Sequence, residues 1–409
     1  MRTNLTAVAL AASAGPLLAG QLNLPDPLTT TNGLSVTSAQ MWRQTRRPEI
    51  LELFRTHVYG RAPLGRPTNL KFDVWESAPG VMDGAATRKQ VRISYQGPGG
   101  EGHINLVLFV PTKGRPAPCF LLICNRGATN LDPTRVVKTE FWPAERLIAR
   151  GYAAAAFLNA DVDPDFPDGF TNGVHGIFDA PGQKRAPDAW GTLAAWAWGA
   201  SRVMDYLVTD TDIDAERVAL IGHSRGGKTA LWAGAEDERF AFVVSNDSGC
   251  GGAALARRRA PRAETIAAIN QRFPHWFCEN YHRYNNREDE LPVDQHMLAA
   301  LIAPRLLCIG SASEDWWADP EGEFLAGREA SRVYQLLGVE GLKAEEWPPP
   351  ESPRHDGRIG YHLRSGKHGL TEYDWERYLD FADRHLRRAA HGARNHPTAG
   401  SSEQRDNSD

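Results

Sequence analysis

Ser224 stands in Gly222-His223-Ser224-Arg225-Gly226, a G-x-S-x-G pentapeptide that directly follows the apolar run 217–223 (RVALIGH). A serine hydroxyl is a poor nucleophile until its surroundings activate it. A sharp strand-to-helix turn lifts the hydroxyl above a sheet and beside helix N-terminal amides, which stabilise charge developing on a carbonyl oxygen. Flanking glycines remove side chains that would crowd such a turn. The pentapeptide alone recurs by chance. An apolar strand before it and a helix after it make acyl transfer at Ser224 the expectation, against the alternative of a serine N-cap on an ordinary turn.

Such a serine needs a base, and in strand-to-helix serine enzymes of this kind the chain order is serine, acid, histidine. Six histidines follow the last apolar run: His355, His362, His368, His385, His391 and His396. His368 lies in Ser365-Gly366-Lys367-His368-Gly369, a short loop before the helical run 371–386, which is where a catalytic histidine belongs. His355 and His362 are its competitors. The acid stays open between Asp247 in VVSNDSGCGG and Asp315, next to Glu314, in CIGSASEDWWADP. Asp315 has the usual position, and each carboxylate could equally serve a loop turn.

The elements that must hold these residues are readable in outline. Residues 41–60 have helical spacing closed by Gly60, and 71–111 alternate as three strands with Gly/Pro turns, an antiparallel meander. Continuous apolar runs at 118–125, 151–159, 217–223, 240–247 and 304–310 read as strands buried on both faces. Helical patterns at 140–151, 190–210 and 226–237 separate them, which implies a parallel sheet with right-handed crossovers. An insertion at 251–300 interrupts this alternation. Residues 21–40 read as a linker or N-terminal arm, 41–390 as one catalytic domain, and the polar tail 391–409 as disordered.

Beyond the pentapeptide, WGTLAAWAWGASRVMDYL, GHSRGGKTALWAGAEDERFA, SNDSGCGGAAL, FPHWFCENYHRY, ASEDWWADPEGEFLA and GKHG together resemble the glucuronoyl esterases of carbohydrate esterase family 15, in their bacterial form. These stretches spread over 120–385. The resemblance implies an α/β-hydrolase fold with N-terminal antiparallel strands and a lid-like insertion. It implies a serine esterase acting on esters of 4-O-methyl-D-glucuronic acid in glucuronoxylan, as in lignin-carbohydrate esters. It also implies Ser224 as nucleophile, His368 as base and Arg225 as oxyanion support, with Lys228 and Glu264 on sugar hydroxyls and Trp317 lining the sugar site. Family members place the acid at either of two strands, matching Asp247 and Asp315, so the resemblance leaves that choice open. The stretch CNRGATN is a looser match and leaves a second oxyanion donor unassigned.

The residue types suit that substrate, because a uronate ester is a neutral polyhydroxylated ring that asks for polar groups and an aromatic wall. Arg225 is a permanent cation, and Lys228 lies one helical turn after Ser224. The bland alternative makes both merely exposed helix-start residues. No metal or organic cofactor is expected.

Composition removes other classes. The 409 residues are 42% hydrophobic and 23% charged, an ordinary globular balance, and 46 basic against 50 acidic residues give a net charge of only -4. Nucleic-acid binding has no basic face to rest on. Five scattered cysteines without a C-x-x-C pair suggest neither a disulfide scaffold nor a zinc ribbon, and do not offer the disulfide set of the fungal relatives. Met1-Arg2, the apolar stretch 5–18 and Ala19-Gly20 have the order of a signal peptide, so a secreted or periplasmic monomer is expected. No other segment has the roughly 20 apolar residues a membrane span needs. The competing expectations are another serine carbohydrate esterase, such as an acetyl xylan esterase, and an inactive glycan-binding module on the same fold.

Overall fold

The computed structural model describes residues 22–389 apart from Pro181. The stretch 1–20, expected to be a signal peptide, and the tail 391–409 lie outside the described residues. Alternating side chains in 71–111 form β1 (Lys71–Val81), β2 (Ala86–Gly97) and β3 (Gly100–Pro111), paired antiparallel. Unbroken apolar runs become β4 (Ala117–Cys124), β5 (Ala153–Leu158), β6 (Ile213–His223), β7 (Phe242–Asn246) and β8 (Leu306–Ala312). A strand covered by helices on both faces has no side to give to water, which is why these runs lack polar alternation. The nine-stranded sheet runs β1-β2-β3-β5-β4-β6-β7-β8-β9, and every pair from β5 onward is parallel. This is the α/β-hydrolase architecture with a short antiparallel extension.

The ninth strand, β9 (Ile359–Arg364), had no apolar run to announce it. Its sequence IGYHLR carries His362 and Arg364, and both are buried because Asp374 accepts a hydrogen bond from each at 2.9 Å. A polar pattern normally argues for a loop. Here a buried carboxylate compensates the two polar side chains and lets the strand form inside.

Alternate side chains of each parallel strand feed two cores. Leu121, Leu220, Val243 and Ile309 face the helices at 39–59, Thr192–Leu207, Arg225–Glu236 and Pro320–Leu336. Phe120, Leu122, Ile221 and Val244 face Ala144–Ala149 and Glu372–Ala389. Eight of the twelve tryptophans are buried, so most of the aromatic surplus is packing. All five cysteines are buried and free.

The segment 251–300 is pinned rather than loose. Tyr59 Oη donates to Gly251 O at 2.8 Å, Cys278 N donates to Val58 O at 3.0 Å, and Asn280 Nδ2 donates to Thr56 O at 2.8 Å. These anchors need the helix 39–59 to stop abruptly. Gly60 achieves it at φ +85°, where a Cβ would lie 2.4 Å from Ala189 O. The arm before that helix is also tied down, with Arg46 donating to the carbonyls of Asp26 and Pro27. None of the described helices is long and apolar enough to cross a membrane.

Candidate active site

From β4 the chain crosses to β5 on one side, and from β5 it returns past β4 to β6 on the other. Such a reversal opens a crevice beyond the carboxyl ends of the strands, the default ligand site of an open parallel sheet. Ser224 stands at that point, directly after β6, at φ +57° and ψ −122°. A non-glycine residue adopts this conformation only when its surroundings force it. Ser224 N donates to Asn246 O at the end of β7, 2.8 Å away, which holds the turn from below. Gly222 is obligatory, because a Cβ there would sit 2.0 Å from Gly226 O. Gly226 is less constrained, with Ile123 O at 3.2 Å. The helix Arg225–Glu236 begins at once, so its first N–H groups, free of intrahelical partners, lie beside the hydroxyl.

The histidines separate by environment. His362 is buried in β9 against Asp374, and His355 is buried beneath the helix Glu372–Ala389, so both competitors are interior residues. His368 lines the same cleft as Ser224. Its Nδ1 lies 2.6 Å from Asp315 Oδ2 and 3.9 Å from Asp247 Oδ2. With Nδ1–H on a carboxylate, Nε2 is the nitrogen left free to take a proton. The two acids differ. Asp315 bonds the imidazole directly. Asp247 is fully buried, accepts from Gly369 N at 3.0 Å, and leaves Oδ1 unpartnered. Burial, reinforced by nearby Glu323, pushes its carboxyl well above the usual range. Asp247, Asp315 and His368 also offer atoms within 4.8 Å of one another, a spacing a cation could bridge. The short imidazole–carboxylate bond fits proton transfer better.

Arg225 is half-buried and not free. Asp165, in the loop after β5, accepts from its Nη1, and the guanidinium packs 4.8 Å from the Trp276 ring and 5.2 Å from Phe273. Asp165 is itself fixed by Trp276 Nε1 at 2.8 Å and His275 Nε2 at 3.2 Å. Burial acts to raise the Asp165 carboxyl, but the donors His275, Trp276 and Arg225 outweigh it and hold it below the ordinary value. Arg225 Nε is buried without a partner, a donor left over beside the nucleophile.

Lys228 is buried too, 4% exposed, with Nζ donating to Ser248 O and to Cys250 O at 2.7 Å. Two of its three protons are thus committed to backbone, and the Glu264 carboxylate lies 3.8 Å away. Glu264 N donates to Trp317 O at 2.9 Å, and Trp317 keeps 47% of its surface exposed. The cleft, about 330 Å³, brings together every residue to which the resemblance gives a role: Ser224, Arg225, Lys228, Asp247, Glu264, Asp315, Trp317 and His368.

Four contributors escaped sequence reasoning. Asp165 has no motif around it, and Phe273 and Trp276 lie in FPHWFCENYHRY, to whose aromatics the sequence assigned no role. Glu323 sits behind the cleft, accepting from Ser248 N, Gly249 N, Ser248 Oγ and Ser311 Oγ. It shapes the loop that holds Lys228, and one carboxylate in a long helix offers no sequence signal for that.

The fold and the cleft define a carboxylic ester hydrolase of the α/β-hydrolase class. Comparison with known proteins is more specific. A family model described as "Glucuronyl esterase, fungi" matches residues 147–338. Carbohydrate esterase MZ0003, from an unknown prokaryotic organism, is 44% identical over 396 residues, 89% of each chain. The 4-O-methyl-glucuronoyl methylesterase of Schizophyllum commune is 31% identical over 326 residues, covering 77% of this chain and 74% of that one. The structure of a glucuronoyl esterase from Solibacter usitatus superposes with a TM-score of 0.83 at 42% identity, over 89% of this chain and 99% of that one. This chain belongs to the glucuronoyl esterase family, carbohydrate esterase family 15.

Proposed function

We propose that the chain hydrolyses esters between 4-O-methyl-D-glucuronic acid of glucuronoxylan and an alcohol, as in lignin-carbohydrate esters, by two-step acyl transfer. His368 Nε2 takes the Ser224 proton as the hydroxyl adds to the uronate carbonyl, and the alcohol leaves with that proton. Water, deprotonated by the same imidazole, then releases the acid. Asp315 orients His368 and stabilises its imidazolium form. Asp247 backs the loop through Gly369 and supplies a second carboxylate. The oxyanion is met by the amides at the start of Arg225–Glu236 and by the clamped Arg225 guanidinium. Lys228 and Glu264 face the sugar hydroxyls, and Trp317 offers an exposed ring as a wall.

One observation carries this reading. A single cleft holds an elbow serine and an acid-oriented histidine next to a buried Lys–Glu pair that ester chemistry alone does not need. Lys228 keeps one proton beyond its two backbone bonds, and a bare acyl-transfer site has no use for it. We also infer export of the mature chain, supported by the order of residues 1–20, and action as a monomer. Hydrolysis of benzyl and methyl glucuronate, compared with p-nitrophenyl acetate, tests the substrate reading. A large preference for the uronate esters is expected. A preference for acetate would instead select an acetyl esterase on the same fold.

A further inference from the structure

Away from the cleft, β8 and β9 pair in parallel with Cys308 opposite Gly360 and Gly310 opposite His362. Cys308 and His362 therefore point to the same face of the sheet, under the helix Glu372–Ala389. Gly360 between them leaves room, since a Cβ there would lie 3.1 Å from Cys308 Sγ. His355, from the segment before β9, closes the third side with its ring 5.3 Å from Phe381. Cys308 and His362 are fully buried and His355 is 8% exposed. Each of the three offers one donor atom, and these atoms lie within 4.8 Å of one another.

A second observation marks the cluster as more than packing. His355 Nε2 and His362 Nδ1 are both buried without a hydrogen-bond partner. Interiors seldom tolerate one such nitrogen, and here two belong to the same small group. The other nitrogen of His362 is taken, because Asp374 Oδ1 lies 2.9 Å from Nε2. A carboxylate on the far nitrogen is the arrangement that fixes the tautomer of a metal-ligating imidazole and turns its Nδ1 lone pair inward.

We propose that Cys308, His355 and His362 bind one Zn²⁺ ion through Sγ, Nε2 and Nδ1, in the interior and apart from the ester-cleaving cleft. One thiolate and two imidazoles suit a borderline-soft, tetrahedral ion, with water in the fourth position. Binding exchanges the thiol proton for the metal: the S–H bond breaks, a Zn–S bond forms, and one proton passes to solvent. The ion joins the segment before β9 to β8 and β9. Through Asp374 it also reaches Arg364, which donates to the carbonyls of Lys367 (2.8 Å) and Gly369 (3.1 Å) on either side of His368. Its role is that of a clip that stiffens the support of the histidine loop.

Cobalt is the reporting probe, because the other group among the described residues whose spacing could hold a metal ion, Asp247–Asp315–His368, contains no sulfur. Full-length protein stripped by a chelator and titrated with Co²⁺ should bind one equivalent, with an intense thiolate-to-cobalt charge-transfer band that equimolar Zn²⁺ abolishes. Zn²⁺ at about a hundredfold excess over its Kd should raise Tm by about 3 °C. Cys308→Ser should lose the band, and His355→Gln should weaken binding by roughly ten- to a hundredfold. A wild-type protein without the sulfur band, or a Cys308→Ser protein that keeps it, overturns the proposal. Circular dichroism checks that each variant folds, and should neither fold, the wild-type spectrum decides.

Discussion

Ser224, Asp247, Asp315 and His368 stand at, or within four residues of, the ends of β6, β7, β8 and β9. Glu264, Phe273 and Trp276 belong instead to the segment 251–300, which contributes no strand to the sheet. The first wall takes its geometry from strand register, which hydrogen bonding and packing hold to fractions of an ångström. The second takes its geometry from side-chain clamps that tie it to the first: Trp276 and His275 donate to Asp165, which holds Arg225, and Glu264 lies 3.8 Å from Lys228. On the proposed reading the reacting groups stand at strand ends, whereas the sugar-facing groups are spread over the helix after β6, the segment 251–300 and the loop after β8.

The comparison breaks most visibly at the acids. Asp315→Ala and Asp247→Ala should each leave partial kcat/KM, the former losing more, and the double variant should lose nearly all, approaching Ser224→Ala at about 10⁴-fold or beyond. An Asp315→Ala enzyme already as dead as Ser224→Ala would show that the second strand end contributes nothing. Asp165→Asn probes the clamp that joins the walls. Its kcat should fall about ten- to a hundredfold on uronate and acetate esters alike, since an unanchored guanidinium loses part of its oxyanion role. A loss confined to the uronate ester would move Arg225 from the chemical wall to the recognition wall.

Lys228→Ala should lower kcat/KM on methyl glucuronate by about ten- to a hundredfold, the range for removing one partner from a buried polar contact. Activity on p-nitrophenyl acetate should barely change, because acetate offers no hydroxyl. Lys228 also ties down the 248–250 backbone, so Trp317→Ala, whose ring is half exposed, is the cleaner variant and should show the same split. Equal losses on both substrates would erase the distinction between the walls.

The smallest expected effect is on stability. Burial pushes Glu323, behind the 248–250 loop, up to about 7 from the usual 4.5. The folded chain thus holds a proton that the unfolded chain has released between those values, and stability contributed by this group is present below about pH 4.5 and lost as pH rises through 7. Tm should therefore decline over that window, and Glu323→Gln should flatten the decline. An unchanged slope in the variant would place the titration elsewhere.

The elbow, the alternation of strands and helices, and the loop histidine were legible because each is local. A nucleophile turn needs glycine at 222 whatever surrounds it, and a doubly covered strand needs an unbroken apolar run. His368 could be favoured for its loop, but what takes His355 and His362 out of contention was not local, since it depended on β9, a strand whose polar residues are compensated by Asp374 from a later helix. Asp165 and Glu323 were invisible for the same reason. Each acts on partners at least sixty residues away in the chain, Arg225 in one case and Ser248 with Gly249 in the other. Sequence determines which side chains can do chemistry and which segments prefer strand or helix. Only tertiary packing decides which distant carboxylate meets which cation, because burial sets the strength of that meeting and burial exists only once the chain has closed on itself.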